Sequence, residues 1–296
     1  MPIPESQLEI WAKQGAVTQS ATTYATIKRA LEADTAKYQN RNFEVFLQGS
    51  YGNDTNIFVE SDMDIVMRYD GAFFHDLSDL PAIEKDAFKT YFPDGTYLYD
   101  DFKADVMAAL QAAFGKAVTP SSKVFNIAAN GTRRSADIVV TFEYRRYFRF
   151  NGQFDQRYET GICFFRSDGV RIANYPKQHT ENCTAKHQAT RENFKPLVRI
   201  MKNLRSKLVA DGLLADGIAS SYFIEGLLYN VPPEQFTGTY GEMLCNSLNW
   251  LNEADRTNFL CVNEQYYLLR DDPVCWSADH CTQFISAAIQ CWNDWP

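Results

Sequence analysis

Residues 46 to 70 read FLQGSYGNDTNIFVESDMDIVMRYD, and the two aspartates one residue apart, Asp62 and Asp64, constrain this chain more than any other feature. The run they interrupt, MDIVMRY, has the apolar and β-branched character of a buried strand. Side chains alternate along a strand, so Asp62 and Asp64 share one face while Met63 and Ile65 take the other. Like charges on one partly buried face repel, and the arrangement is costly unless cations are shared between them. Paired divalent ions about 3.5 to 4 Å apart are the usual solution in phosphoryl and nucleotidyl transfer. A solvated strand edge is the plainer alternative. A calcium loop is excluded, because it needs oxygen ligands at alternating positions where Val66 and Met67 stand.

The elements around this pair alternate between the two periods. Val17, Ala21, Tyr24, Ile27, Ala30 and Leu31 predict a helix from Ala16 to about Ala36. FEVFLQG and MDIVMRY read as strands separated by a polar loop, and DFKADVMAALQAAFG as a helix closed by Gly115. KVFNIAA and RSADIVVTFEYR follow as antiparallel strands, with Asn130-Gly131 suited to a tight hairpin turn. Beyond about Tyr175 the pattern becomes helical. Phe194, Leu197, Val198, Met201, Leu204 and Leu208 lie on one stripe of a helix ending at Gly212, and SSYFIEGLLYNVPP, YGEMLCNSLNWLNEAD and SADHCTQFISAAIQCWNDW continue as helices. A length of 296 residues suits two lobes. The expected organisation is an N-terminal helical segment over 1–40 bridging the lobes, a catalytic core over 41–165 and a helical domain over 166–296.

Composition narrows the function classes. With 45% hydrophobic residues the chain is an ordinary folded protein, and a net charge of -8 argues against gripping long nucleic acid, which needs a basic face. Small nucleotides remain open, since a phosphate pocket needs only a few cations and backbone amides. The N-terminus lacks a basic region followed by an apolar core, and no window approaches the roughly 18 apolar residues of a membrane span, so a cytoplasmic protein without membrane contact is expected. Seven cysteines without a C-x-x-C pair read as reduced thiols. Cys275, His280 and Cys281 lack a fourth ligand for zinc, and His75, His179 and His187 read as structural.

Two further features complete a pattern around the acids. Asp137 opens the apolar run DIVVTF, and would join Asp62 and Asp64 if its strand lies beside theirs. Gly49-Ser50 ends the strand before the loop, where amides and a hydroxyl can cradle a triphosphate. The order is strand, Gly-Ser, D-x-D on a strand, then a later strand with one more acid. It resembles the polymerase-β-like nucleotidyltransferases. More narrowly, QGSYGNDTN, SDMDIV, ADIVV, NYPKQHTEN, FKPLVRIMKNLR and SSYFIEGLLYN resemble the cGAS/DncV-like nucleotidyltransferases (CD-NTases) of bacterial anti-phage (CBASS) defence, in their pyrimidine-using, CdnE-like branch. The resemblance runs from about Phe43 to Asn230, leaving 66 residues matched only in helical character.

The resemblance implies an α+β fold, with a polymerase-β-like core of mixed sheet and helices plus a C-terminal helical domain and an active site in the cleft. It implies two Mg²⁺ ions, with Mn²⁺ as a substitute, on Asp62, Asp64 and Asp137. It gives Gln48, Gly49 and Ser50 to the donor nucleotide, Lys202 to its phosphates, Ser221 to phosphate or sugar, Tyr222 to stacking on a base and Asn174 to reading a base. Taken singly, Lys202 reads as a solvated helix residue, Tyr222 as core, Ser221 as a helix cap and Asn174 as the cap of a turn. The implied activity is synthesis of a cyclic dinucleotide, uridine-containing, from nucleoside triphosphates (UTP, with ATP), with a downstream effector sensing the product. A template-independent RNA nucleotidyltransferase and an inactive nucleotide-binding partner protein are the alternatives. Without a zinc element, activation by DNA is not expected.

Overall fold

The computed structural model describes residues 2–15, 17–59, 62–93, 95–271 and 274–295. Along the chain come α1 (Glu5–Trp11), α2 (Val17–Leu31), β1 (Phe43–Gln48), the single turn α3 (Gly49–Gly52) and β2 (Met63–Asp76). Next are α4 (Ala82–Tyr91), α5 (Tyr99–Phe114), β3 (Val118–Pro120), β4 (Phe125–Ile127), β5 (Ala136–Phe150), β6 (Gln156–Phe165) and β7 (Arg171–Asn174). The helices α6 (Pro176–Ala189), α7 (Phe194–Ala210), α8 (Ser221–Tyr229), α9 (Tyr240–Glu253) and α10 (Ala278–Asn293) follow. The chain divides into a sheet unit, residues 18–48 and 62–176, and a helical unit, residues 1–17, 49–61 and 177–296. No described helix is long and apolar enough to cross a membrane.

The sheet unit is built on a mixed, seven-stranded sheet in the order β1-β2-β5-β4-β3, with β6 on β5 and β7 on β6. β2 and β5 are parallel, whereas the other pairs are antiparallel. A parallel pair cannot be joined by a tight turn, which is why α4, α5 and the short strands β3 and β4 lie between them in sequence. α5 packs Tyr99 and Phe102 against Phe142, and Phe102 also meets Tyr38 and Tyr69, all with ring centroids 5.4 to 6.0 Å apart. Gly115 ends α5 with φ +56°, as the sequence predicts.

Two predicted boundaries move. Ala16, where the first long helix was expected to begin, lies outside the described residues, and α2 stops at Leu31, short of Ala36. The Tyr38 hydroxyl donates to the Leu31 carbonyl at 2.8 Å and takes up a backbone acceptor that a continuing helix would use. β4 and β5 pair antiparallel as expected, but through residues 128–135 and not a two-residue turn. Asn130 Oδ1 accepts from the amides of Thr132 (3.0 Å) and Arg133 (2.7 Å), a local turn that widens the connection.

In the helical unit the predicted stripe of α7 is its core. Phe194, Leu197, Val198, Met201, Leu204 and Leu208 are all fully buried, packed with Ile224 and Leu227 of α8, Leu244 of α9 and Phe284 of α10. Burial of each such side chain stabilises by about 1.5 to 3 kcal/mol. α9 starts on a reciprocal cap: Thr239 Oγ1 accepts from the Glu242 amide at 3.2 Å, and the Thr239 amide donates to Glu242 Oε2 at 2.8 Å. All seven cysteines are free thiols, five of them buried.

Candidate active site

In the sheet unit, strand register brings together two of the three predicted acids, Asp64 and Asp137, whereas Asp62 precedes the strand and the three carboxylates do not all lie within 4.8 Å of one another. β2 opens with fully buried Met63, then half-buried Asp64, then fully buried Ile65, while Asp62 just before it is exposed. The parallel register sets Asp64 directly beside Asp137 of β5. Neighbouring strands lie about 4.8 Å apart and register partners share a face, so these two carboxylates leave the sheet side by side. Gln48, the last residue of β1, is the partner of Asp64 on its other side, and Asn126 of β4 is the partner of Asp137. The result is a polar row, Gln48, Asp64, Asp137 and Asn126, across four consecutive strands. Asn126 Nδ2 donates to Asp137 Oδ1 at 3.0 Å, while the buried Gln48 Oε1 has no hydrogen-bond partner. Asp62 accepts a hydrogen bond from the hydroxyl of Ser135, which precedes β5.

Asn174 belongs to this unit as the last residue of β7, register partner of Ile162. Its Oδ1 accepts from the Tyr175 amide at 2.8 Å, the turn-capping role, and that bond orients the carboxamide. The Asn174 carbonyl lies over Gly161, where a Cβ would come within 2.5 Å of it, so only glycine lets β6 and the end of β7 approach this closely.

The helical unit holds the other predicted residues. Gly49, at φ +62°, turns the chain into α3, a conformation that favours glycine, and the turn closes by Asn53 N to Gly49 O (3.0 Å) and Thr55 N to Ser50 O (2.9 Å). Ser50 is thereby presented on a short turn and not, as expected, on an open loop. Lys202 is fully buried, so the reading of a solvated helix residue fails. Its ammonium donates to Ser50 Oγ at 2.7 Å and to the Thr55 carbonyl at 3.1 Å, and lies 3.3 Å from Glu225 Oε1. Ser221 is the first residue of α8, whose cap is the neighbouring Ser220; Arg205 reaches Ser221 Oγ at 3.4 Å. Tyr222 is half-buried with its ring 5.3 Å from that of His179, its hydroxyl accepting from Asn263 at 3.2 Å. Burial pushes that phenol far above its ordinary pKa, so it stays protonated.

Glu225 is the functional candidate that the sequence reading passed over. It is buried on α8, and the positive charge of Lys202 together with hydrogen bonds from His179 and Thr55 outweighs its desolvation and lowers its carboxyl pKa to about 2. The available signal was an acid inside the otherwise apolar run YFIEGLLY. His179, read as structural, is its hydrogen-bond partner at 2.7 Å. Among the described residues, the trio of His, Cys, Asp and Glu with ligand atoms all within 4.8 Å is His179, Cys183 and Glu225, and the segment holding Cys275, His280 and Cys281 provides none.

Comparison with known proteins assigns a family to this geometry. Residues 181–293 match the model of the cGAS/DncV-like nucleotidyltransferase C-terminal helical domain. A cyclic UMP-AMP synthase of Rhodothermus marinus is 39% identical over 297 residues, covering 100% of this chain and 99% of the relative. A cyclic dipurine nucleotide synthase of Elizabethkingia meningoseptica is 35% identical over 90% of this chain and 91% of its own length. The solved structure of the Rhodothermus marinus CdnE c-UMP-AMP synthase with Apcpp and Upnpp superposes with a TM-score of 0.89 at 38% identity, covering 99% of this chain and 98% of that one.

Proposed function

The chain belongs to the cGAS/DncV-like nucleotidyltransferases, and from that membership we propose that it joins two nucleoside triphosphates into a cyclic dinucleotide, releasing two pyrophosphates. The observation that carries the reading is the row of Gln48, Asp64, Asp137 and Asn126 across adjacent strands. The product would act as a second messenger in anti-phage signalling, read by a separate effector.

The oxygens of this row suit a hard divalent cation. Two neighbouring carboxylates repel, and the buried Gln48 Oε1 beside them lacks a donor; a cation relieves both conditions. Asp62, Asp64 and Asp137 would hold two Mg²⁺ ions, with Mn²⁺ as a substitute, since all-oxygen donor sets favour these metals over zinc. Bound there, the ions would ease deprotonation of the attacking ribose hydroxyl and offset charge on the departing pyrophosphate. The chain's own work is to hold the donors still. Asn126 fixes Asp137, Ser135 holds Asp62, and Ser50 offers the triphosphate a hydroxyl that the buried Lys202 ammonium holds in place from behind. Ser221 would contact phosphate or sugar and Tyr222 a base. The buried cluster around Glu225 is not taken as the metal site, because the Lys202 ammonium 3.3 Å away already balances that carboxylate.

Incubation with all four labelled ribonucleoside triphosphates and Mg²⁺, followed by mass spectrometry, tests the reading. The expected result is a phosphatase-resistant cyclic dinucleotide that contains uridine. Extension of an added RNA primer, or absence of any product, overturns it. Relatives of similar identity are named for a UMP-AMP product and for dipurine products, so base choice rests on few residues. Asn174 is the proposed reader, since a carboxamide both donates and accepts and so matches N3-H and a carbonyl of uracil. Asn174→Ser is expected to shift incorporation toward purines by about tenfold. An unchanged product ratio removes Asn174 from base selection.

A further inference from the structure

The contacts around Lys202 make up a closed polar network inside the helical unit. Besides Lys202, Glu225 Oε1 takes the Thr55 hydroxyl, while its Oε2 meets His179 Nε2 at 2.7 Å and Asn53 Nδ2 at 3.5 Å. Asn53 Oδ1 in turn accepts from Thr180 Oγ1 at 2.8 Å. Four segments therefore converge on one carboxylate: the turn carrying Ser50, and α6, α7 and α8. A fully buried ammonium is costly without a counter-charge, and Glu225 Oε1, 3.3 Å away, supplies one. Because Lys202 donates to Ser50 Oγ, that oxygen is used as an acceptor there and its own O–H must donate in another direction. A metal is not what this cluster is built for. Lys202 already fills the cationic role, and burial holds the Cys183 thiol protonated, well above its ordinary pKa.

We infer that Glu225 is a positioning residue for triphosphate binding, which acts by holding the Lys202 ammonium fixed against the Ser50 hydroxyl. The inference rests on the proposed reading of Ser50 as a triphosphate contact, with Lys202 buried behind it. Glu225 touches no substrate; its effect passes through Lys202.

The test is a binding cycle on wild type, Glu225→Gln, Lys202→Met and the double variant. Titration calorimetry with non-hydrolysable UTP and ATP analogues and Mg²⁺ is run well below every melting temperature, with folding checked by circular dichroism. Each single substitution is expected to weaken analogue binding by about tenfold, and the double variant no further than Lys202→Met alone. At saturating nucleotide, turnover by Glu225→Gln should stay within about threefold of wild type while KM rises with the lost affinity. Additive losses reaching about a hundredfold in the double variant, or Glu225→Gln binding within about twofold of wild type, overturn the inference. If Glu225→Gln does not fold, His179→Gln and Thr55→Val each loosen one oxygen of the carboxylate and enter the same cycle. Each should weaken binding by about threefold in the wild-type background and not at all beside Lys202→Met, and equal losses in both backgrounds overturn it. A wild type that binds the analogues with this pattern but forms no cyclic product refutes the proposed activity and leaves the role of Glu225 standing.

Discussion

Combined Asp62→Asn and Asp64→Asn substitution is expected to abolish cyclic dinucleotide synthesis while leaving a folded protein. Asparagine matches aspartate in shape, so the backbone pairing of Asp64 with Gln48 and Asp137 survives. Removing two like charges also relieves their repulsion, so the melting temperature should hold or rise slightly. What is lost is the ability to hold divalent ions, because a neutral amide is a far weaker ligand than a carboxylate. A fall in turnover of about a thousandfold or more corresponds to about 4 kcal/mol of barrier, the scale of a lost charge-stabilising group. The measurement is initial rate of product formation by mass spectrometry under saturating nucleotide and Mg²⁺. Turnover within about tenfold of wild type sinks the assignment of these acids as metal ligands.

How far this could be read from the sequence depended on the range of the interactions. The α7 stripe and the alternation of Met63, Asp64 and Ile65 are periodic, and periodicity survives in one dimension. The adjacency of Asp64 and Asp137 needed one assumption, that their strands pair, and the parallel register meets it. Asn126 was invisible because its role comes from a three-residue strand at the far side of β5, a pairing nothing local announces. The stop of α2 depends on Tyr38, seven residues on, and the width of the loop after β4 on the side chain of Asn130. Glu225 shows the limit most clearly. An acid in an apolar helical run signals either an exposed face or a buried partner, and only the fold brings Lys202, His179 and Thr55 to it.

That buried pair also sets the largest expected effect on stability. Removing one member of a buried ion pair leaves the other uncompensated in a low dielectric, which costs more than losing both. Glu225→Gln is therefore expected to destabilise the protein by about 3 kcal/mol, roughly 5 to 10 °C in melting temperature for a chain of this size. Addition of Lys202→Met should restore more than half of the loss, because the stranded ammonium goes with it. The pH dependence has a definite sign. Lys202, His179 and Thr55 hold the Glu225 carboxyl down to about 2 in the folded protein, below the ordinary 4.5, so the unfolded chain takes up its proton first as pH falls. Its contribution is complete above about pH 4.5 and is lost as pH falls through about 2. Thermal melts from pH 7 to pH 2 should thus show the gap between wild type and Glu225→Gln constant at the upper end and closing below about pH 4.5. A gap that is independent of pH, or below about 1 kcal/mol at neutral pH, would mean that the Glu225 carboxylate is not the counter-charge that the buried Lys202 requires.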